Sequence, residues 1–158
     1  MDSRFGGCWS GTVSGLAAGI DELTHREMLK VKGKTVAVIG TGLDKIYPKR
    51  SDQLQDIIAH EGLLLSEYLP WQGPKRQHFP ARNRISSGLS QVCLVIEAKK
   101  RSGSLITAML ALDQNRTVMA LPGRVDVPTS RGTNELILAG AIPVLSVEQI
   151  ILEFANFY

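Results

Sequence analysis

Cysteine and histidine are scarce in this chain, and neither is grouped. Cys8 and Cys93, the only two cysteines, stand 85 positions apart, and the three histidines are His25, His60 and His78. No short ligand spacing of the kind that holds zinc is present, so neither a metal site nor a disulfide framework is expected. Both cysteines read as reduced thiols of a cytoplasmic protein. Long apolar runs are also missing. The longest stretch without a charged side chain, Phe5 to Ile20, has 16 residues, five of them glycine. It is too short and too broken for a membrane span or a signal segment. There is no internal repeat and no low-complexity tail. No local Ser/His/Asp or Cys/His nucleophile signature occurs, so no catalytic residue is expected. Asp21 and His25 lie four apart on one helical face, but no neighbouring nucleophile completes an acid–base system, and a structural pair is the simpler reading.

What is there suffices for one globular domain over residues 1–158: 44% hydrophobic and 21% charged residues allow a real core. The net charge of +3 is unevenly spread. Between residues 67 and 101, seven basic side chains (Lys75, Arg76, Arg82, Arg84, Lys99, Lys100, Arg101) face only Glu67 and Glu97, a local +5 that leaves −2 for the rest. Such a patch is the footprint of a polyanion binder, or else a solvated loop region whose charges are neutralised in space.

Nearly continuous Val, Ile and Leu runs predict strands at Thr35–Gly40, Leu63–Glu67, Gln91–Glu97 and Thr117–Leu121, each covered on both faces. Helices are expected at Ala17–Lys30, Ser51–His60, Asn83–Leu89, Ser104–Gln114, Asn134–Ala139 and Val147–Asn156, with Leu105, Met109 and Leu112 as a core-facing stripe of the fourth. The alternation predicts an α/β, doubly wound, mainly parallel sheet with helices on both faces. Ligands in such sheets sit beyond the carboxyl ends of the strands. The loops there are Thr41–Arg50, Tyr68–Arg82, Ala98–Gly103 and Pro122–Thr133, all mixing Gly or Pro with basic or hydroxyl residues.

Three motifs in these loops carry chemistry. Gly40-Thr41-Gly42 allows a phosphate or ribose to approach the backbone, although a tight turn explains it as well and Lys45 stands where a dinucleotide fingerprint has its third glycine. Asp44 reads as a turn former or as an acceptor for a sugar or base edge. Ser102-Gly103-Ser104 follows Lys99, Lys100 and Arg101 and opens a helix, which suits both N-capping and phosphate binding. In the segment from His78 to Ile85 (HFPARNRI), Arg82 and Arg84 flank Asn83 beside an expected helix start. Cations there are mildly unfavourable unless an anion joins them. Phe79 is the residue best suited to stacking on a base, and Tyr68 and Trp71 interleave with Lys75 and Arg76 as stacking or staple residues.

With these residues in hand, the chain resembles the DNA-processing protein A family, also called Smf. The matching phrases are VSGLAAGID (13–21) with His25, VIGTGLD (38–44) with Tyr47-Pro48, LSEY (65–68), FPARNRISSGL (79–89), VIEA (95–98), SGSLITA (102–108), LPG (121–123) and GTNELI (132–137) with Gly140-Ala141. The resemblance implies an extended Rossmann-like domain that binds single-stranded DNA, forms homodimers, protects incoming strands in naturally transformable bacteria and helps to load a RecA-type recombinase. It implies no catalysed reaction and no cofactor. By resemblance, the basic residue of the pair Lys75-Arg76, Phe79 and the trio Arg82-Asn83-Arg84 belong to the DNA pocket. The family's first strand, with its Ser-x-Arg phosphate loop and following helix, has no counterpart here beyond a faint echo in Ser3-Arg4. The N-terminal helical domain and the winged-helix module are not matched either. A core-only version with an exposed sheet edge is therefore expected.

A phosphoribohydrolase-like enzyme is the alternative, since those enzymes share the fold and carry a Pro-Gly-Gly-x-Gly-Thr-x-x-Glu signature. Here Pro122-Gly123 is separated from Gly132-Thr133, and Glu135 stands two residues after the threonine rather than three. A chain so altered should release no free base from a nucleoside monophosphate, which chromatography of the incubated nucleotide checks.

Overall fold

In the computed structural model the described residues are 11–155. Among these residues six parallel strands alternate with six α-helices: β1 (Gly11–Ser14), α1 (Ile20–Lys30), β2 (Lys34–Val38), α2 (Asp52–Glu61), β3 (Leu63–Leu65), α3 (His78–Gly88), β4 (Val92–Val95), α4 (Gly103–Asp113), β5 (Thr117–Ala120), α5 (Arg131–Leu138), β6 (Ile142–Pro143) and α6 (Val147–Ala155). The class is α/β and the pairing wholly parallel, as the strand pattern implies.

The strands form two sheets of three, in the orders β1-β2-β3 and β4-β5-β6. Val13 lies opposite Val36, and Val36 opposite Leu63. In the second sheet Leu94 faces Met119, and Met119 faces Ile142. A single sheet is thus not what forms. β1 and β4 are not paired, and a groove of about 170 Å³ lies between them, lined on one side by Val13 to Gly15 and on the other by Val92 to Glu97.

Each half has its own core. Ala37 and Ile39 of the β2 run pack with Leu16 and with Leu54 and Ile58 of α2. Val95, Val118 and Ala120 pack with Ala108 and Ala111 of α4 and Leu136 of α5. Met119, pointing the other way by strand alternation, joins Val92, Val144, Ile150 and Phe154. Helices therefore cover both faces of the second sheet, and in the first α3 contacts β2 while α1 and α2 pack against the strands.

Three expectations need correction. First, β1 and β6 were not foreseen: GTVS has too little apolar content, and β6 is two residues long. Second, α3 starts at His78 and not at Asn83. Pro80 looks like a break, but it occupies the third helical position, where the N–H has no intrahelical partner to lose. Third, of the Leu105-Met109-Leu112 stripe Leu105 alone packs against the core. Met109 and Leu112 are 55% and 48% exposed, while Ala108 and Ala111 are fully buried. Their small side chains let α4 lie close to the sheet. Ser3, Arg4 and Cys8, and the end of the last expected helix at Asn156, lie outside the described residues.

Moving the helix start changes what Arg82 does. It sits past the first turn, only 5% exposed, and its Nη1 donates to the Gly15 carbonyl at 2.6 Å and also to the Val38 carbonyl. One guanidinium thereby ties α3 to the carboxyl ends of β1 and β2. Gly15 is required for this approach, because a Cβ there would lie 2.6 Å from the guanidinium nitrogens. Arg82→Met, similar in length but without donors, removes this donor from the buried Val38 carbonyl and from the half-buried Gly15 carbonyl at a cost of up to about 3 kcal/mol. Thermal denaturation should show a midpoint lower by up to roughly 6–12 °C, and Gly15→Ala should fall in the same direction.

Candidate nucleic-acid interface

The carboxyl ends of β1, β2 and β4 open into one cleft of about 950 Å³. Its first wall is the turn from Gly15 to Asp21, which leads into α1. Asp21 shapes that turn, its Oδ2 accepting the N–H groups of Gly15 at 3.1 Å and Ala17 at 3.3 Å. The second wall is Gly40-Thr41 with Tyr47 and Pro48, faced by Phe79, Pro80 and Asn83 of α3. The third runs from Glu97 through Lys99 and Ser102 to Ser104 and Thr107 of α4.

The aromatic wall is tightly braced. His78 Nδ1 lies 3.0 Å from the Gly40 carbonyl, and its ring stacks on Tyr68 at 3.9 Å. The Tyr68 hydroxyl donates to the His78 carbonyl at 3.3 Å. Phe79 lies so close to Gly40 that a Cβ there would be 3.1 Å from the ring, and its other aromatic neighbour is Tyr47. Asp44 Oδ1 accepts the Trp71 N–H at 2.8 Å, and the Gly42 N–H donates to the Gln72 carbonyl at 2.8 Å. The loops after β2 and β3 are thus stitched together.

The opposite wall offers unused donors. α4 opens after Ser102 with no side-chain cap, and among the described residues the Gly103 and Ser104 N–H groups find no acceptor. Ser102 Oγ is buried without a partner. A helix N-terminus of this kind favours an anion, and Lys99 lines the same cleft.

Residues 8–155 match the family of DNA recombination-mediator protein A. The chain belongs to that family. DNA processing protein DprA of Streptococcus pneumoniae is 51% identical over 142 residues, covering 90% of this chain and 50% of that protein. Protein Smf of Synechocystis is 52% identical over 139 residues, covering 88% and 35%. Among solved structures, DprA from S. pneumoniae superposes with a TM-score of 0.83 at 49% identity, over 91% of this chain and 51% of that one. DNA processing protein A from Helicobacter pylori, reported for its single-stranded DNA binding mode, gives 0.83 at 34% identity, over 92% and 66%. The chain spans about half the length of the S. pneumoniae relative.

Of the residues expected at the site, the cleft gathers Gly40, Thr41, Phe79, Arg82, Asn83, Lys99, Ser102, Gly103 and Ser104. Gly42 lies in the stitched loop beside it. Lys75 and Arg76 stand outside the cleft lining, exposed and without an ion pair among the described residues. The helix-terminus placement of Arg82 and Arg84 is corrected: Arg82 is spent on backbone carbonyls, and Arg84 pairs with Glu67. Asp44, paired with Lys45 and Trp71, serves the turn. Sequence reasoning passed over the Gly15–Asp21 turn, whose signal was the closely spaced glycines of VSGLAAGID, and Tyr47. No group of three or more metal-ligating side chains occurs, and no helix is long and apolar enough to cross a membrane, among the described residues.

Asp21 and His25 each serve the structure, with no hydrogen bond between them among the described residues: Asp21 holds the turn after β1 and His25 packs inside. His25 is fully buried, its Nδ1 2.7 Å from Thr35 Oγ1 and its Nε2 without a partner. Burial pushes its pKa from 6.5 down to about 4, with Asp21 opposing and Arg82 reinforcing the shift. Between those two values the unfolded chain binds the proton that the folded one refuses, so stability declines as pH falls from about 6.5 towards 4. The loss integrates to at most about 3 kcal/mol. Urea unfolding at a series of pH values should show this slope in the wild type and a flatter one in His25→Gln.

Proposed function

We propose that the cleft and its rim bind single-stranded DNA and catalyse no reaction. The observation that carries this reading is the facing of two unlike walls: unsatisfied α4 N–H groups with Lys99 on one side, and the Phe79–Tyr47 aromatics on the other. A strand of nucleotides presents the same pair of chemistries, phosphates and flat bases. The family membership and the single-stranded DNA binding mode reported for the H. pylori relative support it. Lys75 and Arg76 extend the cationic surface, and Asn83 and Thr41 offer polar contacts within the cleft. Arg82 takes the role of a strut that holds the cleft open, so the phosphate grip falls to Lys75, Arg76, Lys99 and the α4 N-terminus.

The enzyme alternative has no support in the geometry. Glu135 pairs with Lys100 at 3.5 Å, and Gly123 is held by the Asn134 side chain, so no compact glycine loop presents a free acid. Protection of incoming strands, cooperation with a RecA-type recombinase and homodimer formation in the cytoplasm complete the proposed role. Light scattering on the eluting protein, with and without oligonucleotide, measures the assembly.

Fluorescence anisotropy with a labelled oligonucleotide tests the DNA reading. Affinity should drop steeply, by a factor of about 10 or more, between roughly 50 and 200 mM salt. The triple variant Lys75→Glu/Arg76→Glu/Lys99→Glu should bind at least about tenfold more weakly, with a shallower salt slope. No binding at low salt, or equal binding by the triple variant, sinks the proposal.

A further inference from the structure

The aromatic wall contains more than the one ring that the sequence singles out, and the two rings are not equivalent. We infer that Tyr47, and not Phe79, presents the ring face on which a DNA base stacks, with Phe79 as the support behind it. This rests on the DNA-binding reading of the cleft and specifies which residue meets the base.

Phe79 is half-buried and already has two close neighbours, the Gly40 backbone and the Tyr47 ring. The Tyr47 and Phe79 centroids are 5.3 Å apart, with planes inclined by 40°. A base inserted between them needs roughly 7 Å, two contacts of about 3.5 Å. The gap between the rings is therefore closed to intercalation, and a base has to approach from outside the pair. Both rings line the cleft, and Tyr47 is the more open of the two: it is 44% exposed, whereas Phe79 is half-buried. Its phenol makes no hydrogen bond among the described residues, whereas a buried tyrosine hydroxyl ordinarily finds a partner.

The loop that carries Tyr47 is held in place before any ligand arrives. The Lys45 carbonyl accepts Gln55 Nε2 at 2.9 Å and Thr41 Oγ1 at 3.4 Å, and Gly42 and Asp44 anchor the same loop to the one after β3. A platform fixed in advance loses little freedom when a base settles on it. Trp71 is more exposed, but it does not line the cleft.

Three proteins and two probes test the inference by anisotropy at one salt concentration. Tyr47→Ala should weaken binding of a mixed-base oligonucleotide by about tenfold, within the roughly 5- to 150-fold range that one stacked base confers. Tyr47→Phe, which keeps the ring, should bind within about twofold of the wild type, and both variants should keep the wild-type salt slope. With an oligonucleotide of abasic linkers, Tyr47→Ala and the wild type should bind alike. Wild-type affinity of Tyr47→Ala for the mixed-base strand overturns the inference, as does a tenfold loss that persists on the abasic strand. Neither result touches the DNA-binding reading, which stands or falls with the lysine and arginine variants.

Discussion

A guanidinium taken out of water must be given acceptors, and in this fold the acceptors are backbone carbonyls at the ends of two strands. Arg82 reaches Gly15 and Val38 across 67 and 44 residues of sequence. That requirement fixes several others. Gly15 has to lack a side chain, the turn after β1 has to present its carbonyl inward, and α3 has to cross at one height over β2. Asp21 reinforces the arrangement by capping the same turn from the other side, and its charge opposes the effect of burial on Arg82. The cleft exists because these elements cannot drift apart independently.

The electrostatic picture is consequently narrower than a count of charges implies. Of the seven cations between residues 67 and 101, Arg82 serves the interior, Arg84 pairs with Glu67, and Lys100 lies near Glu135. Lys75, Arg76, Lys99 and Arg101 remain exposed without an ion pair among the described residues. Burial pushes the Cys93 thiol up to about 11, so it stays protonated near neutral pH.

Much of this is legible in the amino-acid sequence alone. The Val-, Ile- and Leu-rich runs of β2 to β5 announce parallel strands, although β3 is left open on one side, with Leu63 51% exposed, and the glycine and hydroxyl loops at their carboxyl ends mark the cleft, because both signals are local. What stayed hidden depends on tertiary partners. Pro80 conceals the first turn of α3, and GTVS becomes a strand only because β2 lies beside it. A charge pattern treats every guanidinium as solvent-facing, so it gives no sign that Arg82 donates to two distant carbonyls. Tyr47 enters the sequence reading only within a matching phrase, because a single aromatic beside a proline has no period; its 5.3 Å approach to Phe79 places it in the aromatic wall.

The unpaired flanks of β1 and β4 bear on the cleft as well. One wall, Gly15 to Asp21 and Gly40-Thr41, hangs from the first half-sheet, and the other, Glu97 to Ser104, hangs from the second. No ladder fixes the spacing between them. That spacing is set by α3, anchored by Arg82 to the first half and packed along α4 in the second. The width of the mouth therefore rests on the seating of a single helix, and a change in how α3 packs on α4 would reach the cleft without passing through any strand ladder.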